Sequence, residues 1–362
     1  MTKTLTMNLR SSIKRLLYPL LLMSLYGCTS NTPILTPPPE LPPYQLQNSL
    51  LSHAPTSDIE RGEILALNVR MINFLHKHID LSAEPEQRVQ QLLAAIFAKD
   101  KIGLQYRSEP TKTAIGTFES SYGNCLSFAN LFVAMARHLG IEANYQELIE
   151  EPTWRRKGEV LWISHHINVV GKLPKGQRYT IDFEAYLPYR RNQIAKARMI
   201  PDHRAFAYYY SNLGAEALAR NESAQAFTWF KKAVAVDSSM ALLWSNLGTI
   251  YSRNFQFEAA ETAFKHALNL EPDSYSTMKN LAKLHLRQGL EVRAEYYVEQ
   301  AEQLRDHNPY YHFWLGKSAY QLGDYRKAIR HFEAASARKR RTHEFHFALA
   351  GAYWRLGQAE QA

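Results

Sequence analysis

The chain of 362 residues contains only two cysteines. Two thiols cannot build a disulfide scaffold, a four-cysteine zinc site or an iron–sulfur cluster held by cysteine alone. HExxH motifs, phosphate-binding loops and dinucleotide fingerprints are also lacking, so we expect neither a metal nor a cofactor. The net charge of +9 is spread without long basic blocks, and it does not indicate nucleic-acid binding.

What the sequence does contain is the composition of a folded protein. Apolar residues make up 46% and charged residues 21%, which are close to globular averages and argue against wholesale disorder, collagen or a coiled-coil rod. The length allows about two domains and a linker.

The N-terminus has the pattern of an export signal. Lys14 and Arg15 precede an apolar run at residues 16–25, which has the length of a signal-peptide core and is too short to span a bilayer comfortably. The run ends in Leu25-Tyr26-Gly27-Cys28, which resembles the lipobox of bacterial lipoproteins, although Tyr26 is bulky where a small residue is usual. An ordinary secretory signal cleaved near Ser30 is the alternative.

The lipobox resemblance implies a signal peptide at residues 1–27, a lipid on Cys28 and, because Thr29 follows, an outer-membrane anchor facing the periplasm. Residues 28–57 are rich in proline, which favours an extended chain, and they are expected to form a tether between the lipid and the folded part.

The C-terminal part of the chain is an array of repeats. A gapless 34-residue frame places leucine at its seventh position in five consecutive copies and small residues at its eighth and twentieth positions. The copies start at Ala207, Ala241, Tyr275, Pro309 and His343. Small residues at these two positions let paired helices approach closely, while large ones at the twenty-fourth position fill the space beside them. The period and pattern resemble tetratricopeptide repeats, at residues 207–240, 241–274, 275–308, 309–342 and, in part, 343–362.

Tetratricopeptide stacks bind peptides on a concave face lined by the first helix of each repeat. In this frame the resemblance implies a peptide-binding surface of aromatic and lysine side chains, suited to an extended peptide or a carboxylate. These are Tyr208, Lys279, Lys283, Tyr310, Phe313, Lys317 and Tyr320. A solvated surface without a dedicated ligand is the alternative. Asn212, Asn246 and Asn280 recur at the sixth position, where they are expected to form hydrogen bonds between helices.

The last copy is rich in aromatic residues where a stack normally ends with a polar cap. We expect either a protein partner or a second copy of the chain to bind there, or these side chains to pack on the fourth repeat. They are Phe345, Phe347, Leu349, Tyr353 and Trp354.

The middle segment, residues 58–204, carries the candidate chemistry. Helical spacing predicts helices at residues 84–99 and 125–138, and Cys125 lies at the start of the second one. The positive end of the helix dipole there would favour a nucleophilic thiolate. A buried cysteine that acts as a small hydrophobe is the alternative.

Two alternating segments, residues 159–170 and 179–184, are predicted to form a hairpin. A five-residue loop at 172–176 would place His166 directly opposite Asp182. Cys125, His166 and Asp182 would then be a thiol nucleophile, its base and the carboxylate that orients the base.

This segment resembles the transglutaminase-like superfamily, whose core is related to papain-type proteases. More narrowly, the chain resembles bacterial lipoproteins that join this domain to tetratricopeptide repeats. The matching residues are Tyr106, Gly123-Asn124-Cys125-Leu126-Ser127, Leu139-Gly140-Ile141, His166-Ile167-Asn168-Val169 and Ile181-Asp182-Phe183. Asn168 stands where transglutaminases proper often have an aromatic residue, which argues against cross-linking more than against the fold.

The resemblance implies an α+β transglutaminase-like domain followed by an all-α solenoid. It also implies a thiolate attack on an amide carbonyl, with hydrolysis by water or transfer to an amine. The expected protein is a periplasmic cysteine hydrolase or acyltransferase whose repeats recruit its protein or peptide substrate. A lipid-anchored scaffold without turnover is the alternative.

Overall fold

The computed structural model describes residues 59–361, except for 150–153, 158–159, 164–165, 182 and 184–195. The expected signal peptide, the tether with Cys28, and Asp182 lie outside the described residues. Within the described part, no helix is both long enough and apolar enough to cross a bilayer.

Five helices precede and flank the first sheet strands. They are α1 (Arg61–Ile64), α2 (Val69–His78), α3 (Pro85–Phe97), α4 (Ala114–Ser120) and α5 (Cys125–His138). Proline at the first position of α3 needs no hydrogen-bond acceptor, and the Asn68 side chain caps α2 by accepting from the Met71 N–H at 3.0 Å. The helices predicted at residues 84–99 and 125–138 are confirmed.

The central layer is a four-stranded antiparallel sheet in the order β7-β6-β3-β8. The strands among the described residues are β1 (Gln105–Tyr106), β2 (Tyr122–Gly123), β3 (Asn144–Ile149), β4 (Trp154–Lys157), β5 (Val160–Ile163), β6 (His166–Lys172), β7 (Arg178–Ile181) and β8 (Lys196–Ile200). β1 and β2 form a parallel pair, and β4 and β5 form a hairpin. The single strand expected at residues 159–170 is therefore two strands that belong to different sheets.

The predicted register of the hairpin is wrong by two residues. Ile181 pairs with Val169 rather than with Ile167, and Lys172 pairs with Arg178. The loop has the expected five residues but lies one residue later, because Pro174–Gly176 forms a 3-10 turn that begins after Leu173. The expected placement of His166 opposite Asp182 relied on the predicted register, and Asp182 itself lies outside the described residues.

α5 packs against this sheet as the central helix of the domain. Every side chain from Leu126 to Ala136 is buried, so the helix is covered on all sides. Phe128 and Phe132 meet Phe183 at ring distances of 5.7 and 6.4 Å. These contacts fix the position of α5 beneath the sheet.

Nine helices of the described residues form the repeat array: four antiparallel pairs and one further helix, α14, from the partial fifth copy. They are α6 (Asp202–Ala219), α7 (Ser223–Val236), α8 (Ala241–Arg253), α9 (Phe257–Leu270), α10 (Tyr275–Arg287), α11 (Glu291–His307), α12 (Pro309–Gln321), α13 (Tyr325–Arg338) and α14 (His343–Leu356). α8, α10, α12 and α14 begin at the predicted starts of their copies. α6 begins at Asp202 rather than at Ala207, and in its extra turn Asp202 pairs with Arg137 of the preceding domain at 2.5 Å.

The eighth position of the repeat holds glycine for a steric reason. A Cβ added to Gly214, Gly248 or Gly316 would lie 2.5 to 2.6 Å from the phenylalanine ring at the twenty-fourth position of the same repeat. In these three repeats the paired helices are therefore packed ring to backbone, as the small residue at the eighth position predicts.

The apolar core is continuous across the two kinds of architecture. One cluster of buried side chains extends from Ile64 to Tyr297 and includes Phe132 of α5 and Tyr209 of α6. A second cluster, around Phe332, joins the last two copies.

Candidate active site

Cys125 is the first residue of α5 and is half-buried. The turn before it is held by Asn124, whose side-chain Oδ1 accepts from both the backbone N–H and the hydroxyl of Ser127 at 2.9 Å. A Cβ on Gly123 would lie 2.5 Å from Ser127 Cβ, so only glycine fits there. The sequence thus builds a capped helix start that fixes the backbone of the candidate nucleophile.

A buried hydrogen-bond chain leads away from this cap. Asn124 Nδ2 donates to Thr111 Oγ1 at 2.7 Å, and the Thr111 N–H donates to Glu216 Oε1 at 2.7 Å. Thr111 and Glu216 are 4% and 6% exposed. Burial raises the pKa of the Glu216 carboxyl, while the hydrogen bond from the Thr111 N–H opposes the shift. Glu216 lies on α6. This series of hydrogen bonds therefore connects the first repeat to Asn124, the residue before Cys125.

His166 is the first residue of β6, where its backbone pairs with Leu148 of β3. The next strand residues, Ile167 and Val169, are buried in the core that α5 enters. Asn168 is 2% exposed, and its Oδ1 accepts no hydrogen bond from the described residues.

Phe183, the chain neighbour of Asp182, is 1% exposed and packs on Phe128, one turn after Cys125. The fold therefore carries strand β6 and the end of β7 to the helix that begins with the candidate nucleophile.

Cationic side chains flank the same turn. Arg107 and Lys112 lie over the Tyr122 ring at 4.1 and 3.4 Å from its centre, and Lys112 Nζ donates to Ser120 Oγ at 2.6 Å. Across the described ranges, no three His, Cys, Asp or Glu side chains come together as metal ligands.

The residues expected to bind a peptide differ in their accessibility. Tyr208 is not available, because it is 7% exposed and its hydroxyl donates to Glu147 Oε1 of β3 at 2.5 Å. This position of the first repeat is covered by the preceding domain. Lys283 and Lys317 are exposed, and Lys279 is half-buried.

The aromatic members of that set pack within the repeats. Tyr310 and Phe313 lie 5.1 and 4.8 Å from the Phe345 ring, and the Tyr310 hydroxyl contacts Lys339 Nζ. Tyr320 lies 5.3 Å from Tyr325. These half-buried rings support the junction of the last two copies.

The expected helix-to-helix bonds of the sixth position are confirmed in two copies. Asn246 Nδ2 donates to Ser211 Oγ at 3.0 Å, and Asn280 Nδ2 donates to Ser245 Oγ at 3.5 Å.

The apolar residues expected to form a partner surface or to pack on the fourth repeat differ in burial. Phe345 is fully buried, and Leu349 and Tyr353 pack on the core of the fourth repeat. Phe347 and Trp354 are 83% and 70% exposed.

Glu216 and Thr111 are functional candidates that the sequence reasoning missed. The sequence feature that could have indicated them is Glu216 itself, a carboxylate within the otherwise apolar stretch from Ala215 to Leu218 of a repeat helix. An acid in such a place needs a buried donor.

Comparison with known families agrees with this geometry. Residues 74–170 match the family model described as the transglutaminase-like superfamily. They form a transglutaminase-like domain. The match includes Cys125 and His166 and ends before Asp182. A second model, described as the TT21 fifth ARM repeats domain, matches residues 246–348 in the repeat region. The α+β domain followed by a tetratricopeptide-type solenoid is confirmed.

Individual relatives match part of the chain. Anaphase-promoting complex subunit 3 of Schizosaccharomyces pombe is 22% identical over 116 residues, which are 32% of this chain and 17% of that protein. The chain thus spans about a sixth of the length of this curated relative.

Solved structures of similar proteins include two repeat proteins. YrrB, described as a TPR protein with an unusual peptide-binding site, is 20% identical with a TM-score of 0.26, over 43% of this chain and 80% of its own. A thermophilic TPR protein of Thermus thermophilus is 20% identical with a TM-score of 0.27, over 43% of this chain and 85% of its own. At TM-scores this low, neither likeness adds to the helix pairing described above.

Proposed function

We propose that the transglutaminase-like domain is a cysteine hydrolase or acyltransferase that acts on an amide of a peptide or protein recruited by the repeats. The observation that carries the proposal is the capped start of α5, which presents the half-buried Cys125 within a domain of this superfamily. The repeats give the chain an architecture capable of protein interaction.

In the proposed reaction His166 takes the proton of the Cys125 thiol, and the sulfur attacks the amide carbonyl. Backbone N–H groups at the start of α5 stabilise the oxyanion. The C–N bond breaks, the leaving amine takes the proton from His166, and an acyl-enzyme remains. Water then releases an acid, or an amine forms a new amide. Asp182 orients the His166 ring throughout.

A thiol-directed probe tests this function. We expect the folded wild-type chain to be labelled at Cys125 near pH 7, as measured by mass spectrometry of the labelled peptide. Replacement of the base in His166→Ala should slow labelling by roughly 100-fold, because general-base catalysis contributes about 10²- to 10⁴-fold. His138→Ala removes an exposed histidine from the other end of α5 and should leave the rate unchanged.

Labelling of Cys125 that occurs only after denaturation would reject the enzyme. The alternative, a scaffold without turnover, would then be the better description.

We further propose that the chain is a lipoprotein of the bacterial outer membrane, facing the periplasm and anchored through Cys28. The lipobox-like sequence and the proline-rich tether support this localisation. Cys28→Ser should move the chain from the membrane fraction to the soluble fraction of lysed cells. Equal membrane fractions for wild type and variant would contradict the anchor.

A further inference from the structure

Two cationic residues are anchored on either side of the candidate nucleophile. The Arg107 N–H donates to the Gly123 carbonyl at 2.9 Å, and the Lys112 N–H donates to Ser127 Oγ at 2.8 Å. Cys125 lies midway between these two acceptors along the chain. The backbone of both cationic residues is therefore held against the start of α5.

The two side chains converge on one ring. The Arg107 guanidinium and Lys112 Nζ lie 4.1 and 3.4 Å from the centre of the half-buried Tyr122 ring, three residues before Cys125. The ring attracts each cation, and Ser120 Oγ accepts from Lys112 Nζ at 2.6 Å. Both positive charges are thus held close to the helix start.

This arrangement has no counter-charge of its own. In the part of the chain that the structure describes, neither Arg107 nor Lys112 forms an ion pair with a carboxylate. Two like charges on one ring repel each other, and the half-buried Lys112 also loses part of its hydration. An anion beside both would relieve the repulsion, and the positive end of the α5 dipole acts in the same direction.

We propose that Arg107 and Lys112 form an anion subsite beside Cys125 that binds a carboxylate of the substrate close to the reacting amide. The inference rests on the proposed function and names its substrate class. Because the substrate is a peptide or protein, the anion is the carboxylate of an acidic side chain or of a free C-terminus. Arg107 is exposed, so its guanidinium can offer two parallel N–H donors to such a group.

The test compares two alkylating reagents of nearly the same size, the anionic iodoacetate and the neutral iodoacetamide, on the folded full-length chain. Both react with the Cys125 thiolate, so the ratio of their rates cancels any change in the thiolate fraction and reports the charge around the sulfur. The ratio is divided by that of a neutral model thiol, 2-mercaptoethanol. We expect wild-type Cys125 at pH 7 to favour iodoacetate.

Two variants remove one charge each. Arg107→Gln and Lys112→Met should each lower the ratio by about 2- to 5-fold, the range for one exposed charge pair. The iodoacetamide rate should stay close to the wild-type rate in both. Raising the salt concentration from about 0.1 to 0.5 M should lower the ratio more in the wild type than in the double variant, because salt screens exposed charges.

Lys77→Gln is the matched control at the other end of α5. Lys77 is exposed, and its neighbour His76 lies 6.4 Å from His138, the last residue of that helix. The 14 residues of α5 span roughly 20 Å, about twice the screening length at 0.1 M salt, so the ratio should stay as in the wild type. Arg107→Lys keeps the charge and should retain most of the preference for iodoacetate.

An unchanged ratio in both Arg107→Gln and Lys112→Met overturns the subsite. If Lys112→Met unfolds, as its thermal midpoint would reveal, the exposed Arg107 decides the matter alone. A wild-type ratio in Arg107→Gln would then reject the inference, and a lowered ratio would support it.

Protection of Cys125 from iodoacetamide by blocked dipeptides separates the two sources of the carboxylate. One dipeptide has a glutamate side chain and an amidated end, a second has alanine side chains and a free C-terminus, and a third has neither charge. Slower alkylation with one charged dipeptide, but not with the neutral one, assigns that type of carboxylate to the subsite. Equal protection by all three contradicts recognition by charge.

Failure of this inference differs from failure of the proposed function. If folded wild-type Cys125 reacts with iodoacetamide no faster than His166→Ala does, the enzyme is rejected and the subsite with it. If the thiol is reactive and depends on His166, but Arg107 and Lys112 do not control the ratio, only the subsite is lost.

Discussion

His285 shows how a single residue makes one repeat different from its neighbours. It occupies the position that Tyr251 holds in the preceding repeat, is 1% exposed, and stacks on Tyr297 at a ring distance of 5.6 Å. Burial lowers the pKa of its imidazole, Arg293 and Lys265 lower it further, and Glu261 opposes them. His285 is therefore neutral in the folded protein near pH 7.

The sign of the pH effect follows from this shift. As the pH falls below about 6.5, the unfolded chain binds a proton on His285 more readily than the folded chain does, so the free energy of unfolding decreases. We expect a lower urea midpoint at pH 5.5 than at pH 7.5 and a smaller difference in His285→Phe. Because each variant is compared with itself at the two pH values, a change in packing that is independent of pH does not affect the difference between its midpoints.

The exposed His343 provides the control, since His343→Phe should leave the difference between the two midpoints as it is in the wild type. A difference that is the same in His285→Phe would show that other groups cause the pH dependence.

At the scale of the helix pair, the contact between the eighth and twenty-fourth positions can be tested directly. In Gly248→Ala the new methyl group would overlap the fully packed Phe264 ring, at 2.6 Å. Forcing α8 and α9 apart should reduce the free energy of unfolding by about 1 to 3 kcal/mol, measured by urea denaturation.

Gly351→Ala is the matched substitution within α14, where an added Cβ meets nothing within 4 Å. Alanine should stabilise that helix by about 0.5 to 1 kcal/mol. Equal effects at the two positions would mean that helix propensity, and not the ring contact, explains the glycine in the repeats.

The elements themselves differ in how far the sequence predicts them. The starts of α8, α10, α12 and α14 could be placed to the residue, because five copies in phase repeat the same steric pattern. The pairing register of β6 and β7 could not be predicted to the residue. A shift of the loop by one residue changes the partner of every residue in the two strands, and the turn at Pro174–Gly176 determines where the loop lies.

The candidate site was predictable only in part for a related reason. Residue type and helix position indicate Cys125 without any tertiary information. Periodicity assigns Tyr208 and Glu216 to positions within a repeat, but it carries no information about the surface that covers them. Their roles depend on the docking of α6 against Glu147 and Thr111, which no local pattern encodes.

At the scale of the whole molecule, the described residues do not pack as two separate bodies. The apolar cluster passes from α5 through α6 as far as Tyr297 of α11, and the second cluster serves the last two copies. The expected boundary between residues 204 and 207 stays a prediction about domain organisation. In packing terms, the transglutaminase-like domain and the first three repeats share one interior.

The hydrogen bonds described between the repeats and the transglutaminase-like domain come from α6, and Lys232 of α7 adds one more, to the Ile59 carbonyl at 2.8 Å. In the part of the chain that the structure describes, all of these hydrogen bonds come from the first repeat. Because the 34-residue step is gapless, a copy duplicated or deleted beyond the third would leave the phase of the others unchanged. Evolution is thus free to lengthen or shorten the distal arm of this protein without rebuilding the contacts between the first repeat and the transglutaminase-like domain.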